Sequence, residues 1–125
     1  MEFKSTKDRI FIALDFPTKD QAMELVNKLG DEATSYKVGL QLFCSEGGSI
    51  VKELAAMGKN VFLDLKFHDI PNTVAGAIKS VSELGANVMN IHCSGGMEMM
   101  QKARQTADEC GGLKVIGVTV LTSLD

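Results

Sequence analysis

The stretch Asp64-Leu-Lys-Phe-His-Asp-Ile-Pro-Asn-Thr73 follows directly on the apolar run Val61-Phe62-Leu63. A short apolar run of this kind suits a strand buried on both faces. Pro71 suits the first turn of a helix, and the Val74/Ile78/Val81 spacing behind it has helical period. The segment therefore reads as the end of an interior strand passing into a helix. On a regular strand Asp64 and Lys66, two apart, point to the same side of the sheet. Charge is rarely gathered at the end of a buried strand unless it is paired, and such pairing is a common setting for chemistry.

The same strand-then-helix unit recurs on either side. Ile10-Phe-Ile-Ala-Leu14 reads as a strand ending in Asp15, and Pro17-Thr-Lys-Asp20 opens a helix carrying Ala22, Leu25, Val26 and Leu29, stopped by Gly30. A second strand is expected to end near Tyr36-Lys37-Val38-Gly39, followed by a helix whose clearest part is Ile50 to Met57. The helix after Asp64–Thr73 should run from about Pro71 to Leu84, closed by Gly85. Val88 to Ile91 gives a fourth strand, Met97 to Glu109 a fourth helix, and Val115 to Leu121 a fifth strand.

Alternation of this kind indicates right-handed βαβ units and a parallel sheet. Two architectures compete, an open doubly wound sheet and a (β/α)8 TIM barrel. The turn after the first strand, Asp15-Phe-Pro-Thr18, lacks the G-x-G-x-x-G of dinucleotide binding. Polar residues instead recur at successive strand ends: Asp15, Lys37, Asp64 with Lys66, His92 and Thr122. A barrel with its site at the C-terminal face predicts that recurrence, so the α/β barrel is preferred. A whole barrel takes about 250 residues. The 125 residues are therefore expected to form one partial barrel domain, residues 1–125, with the first five strands and four helices, truncated before the C-terminal strands.

Composition narrows the function classes. Apolar residues make up 45% and charged residues 23%, as in ordinary soluble domains. A net charge of −3 argues against nonspecific nucleic-acid binding. The polar start, Met1 to Arg9, and the lack of a long apolar run predict a cytoplasmic protein without a membrane span. Cys44, Cys93 and Cys110 are odd in number and widely spaced, so they are expected to be reduced thiols outside any disulfide framework or zinc site.

Placed on one ring of strand ends, Lys37, Asp64, Lys66 and Asp69 converge. Alternating acid and base favour each other's charged forms. A fixed aspartate repels a bound carboxylate, and a protonated lysine beside it can deliver a proton to a carbanion as CO2 leaves. A structural salt-bridge network at the barrel mouth is the plainer reading. The alternation of charge over successive strand ends favours chemistry.

The segment Asp64 to Val74 resembles the signature of orotidine 5'-phosphate decarboxylases. Ile12-Ala-Leu-Asp15, Tyr36-Lys-Val-Gly39, Asn90-Ile-His-Cys-Ser-Gly-Gly96 and Val118-Thr-Val-Leu-Thr-Ser123 agree with that family in order and spacing. The resemblance implies decarboxylation of orotidine 5'-monophosphate to uridine 5'-monophosphate in pyrimidine biosynthesis, without metal or organic cofactor. It implies Lys66 as proton donor to C6, Asp64 against the substrate carboxylate, and Lys37 holding Asp64 while reaching the ribose. Asp15 would accept a ribose hydroxyl, and Thr122, with Ser123 the weaker candidate, would meet the pyrimidine edge. The family's site is completed across a homodimer, so Asp69 and Thr73 would serve the neighbouring subunit's substrate.

Cys93 departs from an alanine common in the family, a change expected to concern packing. The family's phosphate-gripping arginine and glutamine-bearing loop would lie beyond residue 125. Because remote phosphate binding stabilises such a transition state, the chain alone is expected to be weakly active or inactive.

His68 and His92 are expected to pack or hydrogen-bond, and Met97, Met99 and Met100 to pack or face a subunit interface. Gly95-Gly96 is a weak candidate for admitting a phosphate to a helix N-terminus, and Lys4, Lys7 and Arg9 read as a solvated face. Two rival functions fit the same residues. One is a magnesium-dependent sugar-phosphate lyase or decarboxylase of the same superfamily, such as hexulose-phosphate synthase, which shares the Asp-x-Lys-x-x-Asp core. The other is a non-catalytic half-barrel.

Overall fold

In a computed structural model, which describes residues 2–125, the chain forms five strands and five α-helices. They run β1 (Phe11–Ala13), α1 (Lys19–Leu29), β2 (Ser35–Gly39), α2 (Leu40–Glu46), α3 (Ser49–Ala56), β3 (Asn60–Phe67), α4 (Pro71–Leu84), β4 (Val88–His92), α5 (Met97–Glu109) and β5 (Lys114–Val118). Met1 lies outside the described residues.

All pairings are parallel, and the strand order is β1-β2-β3-β4-β5. This order separates the two architectures. A doubly wound sheet reverses direction at a switch point, whereas a singly wound barrel adds each strand beside the last. The sheet is an arc of a barrel wall.

Alternation along the strands assigns the two faces. Leu14, Tyr36, Val38, Val61, Leu63, Met89 and Ile91 are buried and form one core with Val26, Leu42, Ile50, Leu54, Ile78 and Met99 from the helices. The opposite, inner face carries Phe11, Lys37, Phe62, Asp64, Asn90 and Ile116. Phe62 meets Phe11, which meets Phe3, in edge-to-face contacts at 6.0 and 6.3 Å.

The sequence signals for the helix ends hold. Thr18 caps α1, its hydroxyl accepting from the Gln21 N–H at 3.3 Å. Pro71 occupies the first turn of α4, and Gly85 ends it at φ 96° in the left-handed region.

Three expectations need correction. The second unit holds two helices: α2 precedes α3, and Gly47 at φ 64° makes the break. Leu40-Gln-Leu-Phe-Cys-Ser-Glu46 is too short for its helical period to be distinct. The fifth strand ends at Val118, so Thr119 to Leu121 belong to the following turn. The first strand is shorter than expected, although the Leu14 N–H still bonds the Lys37 carbonyl at 2.9 Å.

Candidate active site

The C-terminal ends of β2, β3 and β4 bring Lys37, Asp64 and Asn90 side by side on the inner face. Register explains part of this: Gly39 pairs with Asp64, and Lys37 with Phe62. A Cβ at Gly39 would stand 3.5 Å from Asp15 Oδ1 and 3.9 Å from Lys37 Nζ.

Asp64 is the centre of the group. Its Oδ1 accepts from Lys66 Nζ and from Asn90 Nδ2, each at 2.7 Å, and its Oδ2 accepts from Lys37 Nζ at 3.3 Å. Lys37 Nζ also lies 3.6 Å from Asp15 Oδ1. The Asp64 side chain is 12% exposed, so its charge is largely removed from water. Burial pushes its carboxyl up, but the hydrogen bonds from Lys66, Asn90 and Lys37, together with the Lys66 charge, outweigh that effect and hold it below the usual 3.8. It stays ionised at neutral pH.

Lys66 does not reach Asp64 by simple strand alternation. Leu63 pairs with Met89 and Phe67 with Ile91, so four positions of β3 span two positions of β4. The strand bulges there, and Lys66 sits at φ 52°, the only non-glycine residue with positive φ among those described. Side chains other than glycine rarely adopt this conformation, and it costs roughly 1–2 kcal/mol. The expected geometry was right about the meeting of the two side chains and wrong about its cause.

Asp69 is not part of this network. It is exposed, and its Oδ1 accepts from the neighbouring Ile70 N–H at 2.7 Å. Of the four groups expected to converge, three do, and Asp15 joins them through Lys37. Asp69 and Thr73 instead border a second cavity of about 220 Å³, shared with His68 and one side of Lys66. The main cavity, about 430 Å³, is bordered by Phe62, Asp64, Lys66, Asn90, Thr122 and Ser123. The turn after β5 thus carries Thr122 over the charged floor.

The remaining candidates are mostly structural. His68 and His92 stand ring to ring at 5.6 Å. Met99 is buried, Met97 is exposed, and Gly95 lies so close to Met99 that a Cβ there would collide with its sulfur. That contact gives Gly95 a packing reason. The three cysteines are free, and Cys93 packs against Gly117, where a Cβ would come within 2.6 Å of its sulfur. Lys4, Lys7 and Arg9 are exposed, as expected. Among the described residues, no group of three or more His, Cys, Asp or Glu side chains is placed to hold a metal ion, and no helix is long and apolar enough to cross a membrane.

Asn90 was not singled out from sequence as a site residue. The available signal was a lone amide inside the apolar strand Val88-Met-Asn-Ile91, which must find partners when buried.

The family model described as orotidine 5'-phosphate decarboxylase / HUMPS matches residues 8–125. The chain belongs to this family. An orotidine 5'-phosphate decarboxylase from Pseudomonas fluorescens is 50% identical over 118 residues, which cover 93% of this chain and 51% of that protein. The corresponding enzyme of Pseudomonas putida is 48% identical over the same shares. The crystal structure of orotidine 5'-phosphate decarboxylase from Lactobacillus acidophilus superposes with a TM-score of 0.84 at 35% identity, covering 93% of this chain and 55% of that one. A conserved protein from Geobacillus kaustophilus, described as uncharacterized, superposes with a TM-score of 0.85 at 40% identity, covering 92% of this chain and 56% of its own. The chain spans about half the length of the curated relatives it matches. Within that half lie the Asp64–Lys66–Lys37 group and the turn bearing Thr122.

Proposed function

We propose that this chain carries the charged half of an orotidine 5'-monophosphate decarboxylase site, producing uridine 5'-monophosphate for pyrimidine biosynthesis. The observation that carries the reading is one buried carboxylate, Asp64, gripped by Lys37, Lys66 and Asn90 at the floor of a cavity. An anion so fixed cannot turn away from a substrate carboxylate set against it. Repulsion falls as that carboxylate becomes neutral CO2, so the interaction favours the transition state over the ground state.

The bond broken joins C6 of the pyrimidine to its carboxylate carbon. The electron pair stays on C6, and the Lys66 ammonium supplies the proton that quenches it. Lys37 holds Asp64 and reaches the ribose, whose hydroxyl Asp15 accepts. Thr122 meets the pyrimidine edge, with Ser123 beside it. Asp69 and Thr73, outside the Asp64 network and beside the second cavity, serve the substrate of a second subunit in a homodimer. No metal or organic cofactor takes part.

The chain acts as part of one barrel domain, completed by further strands, in a cytoplasmic enzyme. The 125 residues, which span about half the length of the relatives, alone turn over slowly or not at all, because binding of a remote substrate phosphate stabilises such a transition state. The test is the loss of orotidylate absorbance, first with the chain alone and then with the chain completed by the C-terminal half of the Pseudomonas fluorescens relative, each with and without chelator. Turnover by the completed barrel that persists in chelator is expected. Turnover abolished by chelator and restored by magnesium would favour a metal-dependent lyase instead.

A further inference from the structure

The bulge in β3 leaves the Lys66 N–H without a ladder partner, since the four steps from Leu63 to Phe67 run against only two steps, Met89 to Ile91, on β4. Asn90 Oδ1 accepts that N–H at 2.8 Å. The other end of the same amide, Nδ2, donates to Asp64 Oδ1 at 2.7 Å, the oxygen that also receives the Lys66 ammonium. Asn90 is 3% exposed, so neither contact can be replaced freely by water. Its orientation is unambiguous, because a flipped amide would set its oxygen against a carboxylate and its NH2 against an N–H.

We infer that Asn90 is a positioning residue that locks Lys66 in its left-handed backbone conformation and fixes the Asp64 carboxylate against the Lys66 ammonium. The inference rests on the reading of Lys66 as proton donor, and it adds the device that aims it. A positive φ in a lysine persists only where surrounding contacts over-determine it. Within β3 the ladder cannot do this, because the bulge has broken it at that point. One short amide reaches both the backbone and the partner carboxylate of the same lysine. Alanine reaches neither. Aspartate can accept the Lys66 N–H but sets a second carboxylate against Asp64.

The charged groups facing Asp64 are Lys37 from β2 and Lys66 from β3, with Asp15 beyond Lys37. A new carboxylate at position 90 would join them on the β4 side, raising the pH at which Asp64 takes up a proton.

Asn90→Ala and Asn90→Asp test the inference by two readouts. In the 125-residue chain, NMR follows exchange of the Lys66 amide and titration of the Asp64 carboxyl. In the barrel completed by the Pseudomonas fluorescens half, kcat, KM and the pH profile are measured. Asn90→Ala should speed Lys66 amide exchange at least tenfold, about what one lost hydrogen bond gives. It should lower kcat by roughly a hundredfold with little change in KM, as expected for a misaimed catalytic group. Asn90→Asp should retain amide protection yet move the Asp64 titration, and the acid limb of the profile, to higher pH.

Unchanged Lys66 exchange in Asn90→Ala would overturn the inference, and so would kcat and pH profiles alike in both variants. If the unsubstituted barrel fails to decarboxylate orotidylate while exchange and titration respond as stated, the activity reading falls and the positioning role stands.

Discussion

The Lys66 ammonium closes a 2.7 Å ion pair with Asp64 from a backbone at φ 52°, on the bulged strand that carries both residues. A regular strand would have brought the two side chains to one face without this strain. The family match, over residues 8–125, includes this segment. Strain stored at a reacting group is tolerated when surrounding contacts hold it.

The strain should be measurable. Lys66→Ala and Lys66→Gly both lose the ion pair, but only glycine accepts positive φ without a Cβ penalty. Lys66→Gly should therefore be more stable than Lys66→Ala by about 1 kcal/mol in urea unfolding. Equal midpoints would mean that the backbone relaxes once the side chain is gone.

Asp64 links stability to acid pH. Its folded-state carboxyl titrates below the ordinary 3.8, so the unfolded chain binds the proton more readily. The stabilisation it contributes is complete above that ordinary value and is lost as pH falls through the lower folded value. Melting temperatures followed from pH 6 downward should drop more steeply for the native chain than for Asp64→Asn. Parallel curves would show that Asp64 gains nothing on folding.

Tyr36 packs fully buried on the helix side of β2, and its hydroxyl has no hydrogen-bond partner among the described residues. Leaving such a group unpaired costs on the order of 1–3 kcal/mol. Tyr36→Phe removes the hydroxyl and keeps the ring, so a gain of about 1 kcal/mol in unfolding free energy is expected. A loss of stability would reveal a partner, such as an internal water.

Gly85 and Gly76, both in or at the end of α4, should respond oppositely to alanine. Gly85 lies at φ 96°, and a Cβ there would stand 2.9 Å from the Ala55 Cβ, so Gly85→Ala should destabilise by more than about 1 kcal/mol. Gly76 lies in the helix interior with nothing within 4 Å, and Gly76→Ala should stabilise by roughly 0.5–1 kcal/mol. Thermal unfolding of the two variants decides both.

Much of this was legible because local signals and global winding agree. Pro71 and Gly85 delimit α4, and polar residues at successive strand ends point to the same barrel winding as the strand order. What could not be read was long-range or irregular. The bulge at Leu63–Phe67 exists only relative to β4, so nothing in Asp64-Leu-Lys66 announces it. Asn90 reads as one polar residue in an apolar strand, because its partners Asp64 and Lys66 lie on the adjacent strand β3, more than twenty residues away in sequence. Asp69 stands apart from the Asp64 network, which its place beside the strand ends did not foretell. A turn before Pro71 carries it to the exposed rim instead, where Ile70 takes its carboxylate.

In the proposed function, Lys66 delivers the proton that replaces CO2 at C6. This step is tested most directly by turning over orotidine 5'-monophosphate in D2O with the completed barrel and with its Lys66→Ala variant, following uridylate formation and its deuterium content. One deuterium at C6 and a rate lower by about 10²–10⁴-fold in the variant are expected, the usual contribution of a positioned general acid. A Lys66→Ala barrel that turns over within about threefold of the unsubstituted one, a difference worth less than 1 kcal/mol of transition-state stabilisation, would contradict it.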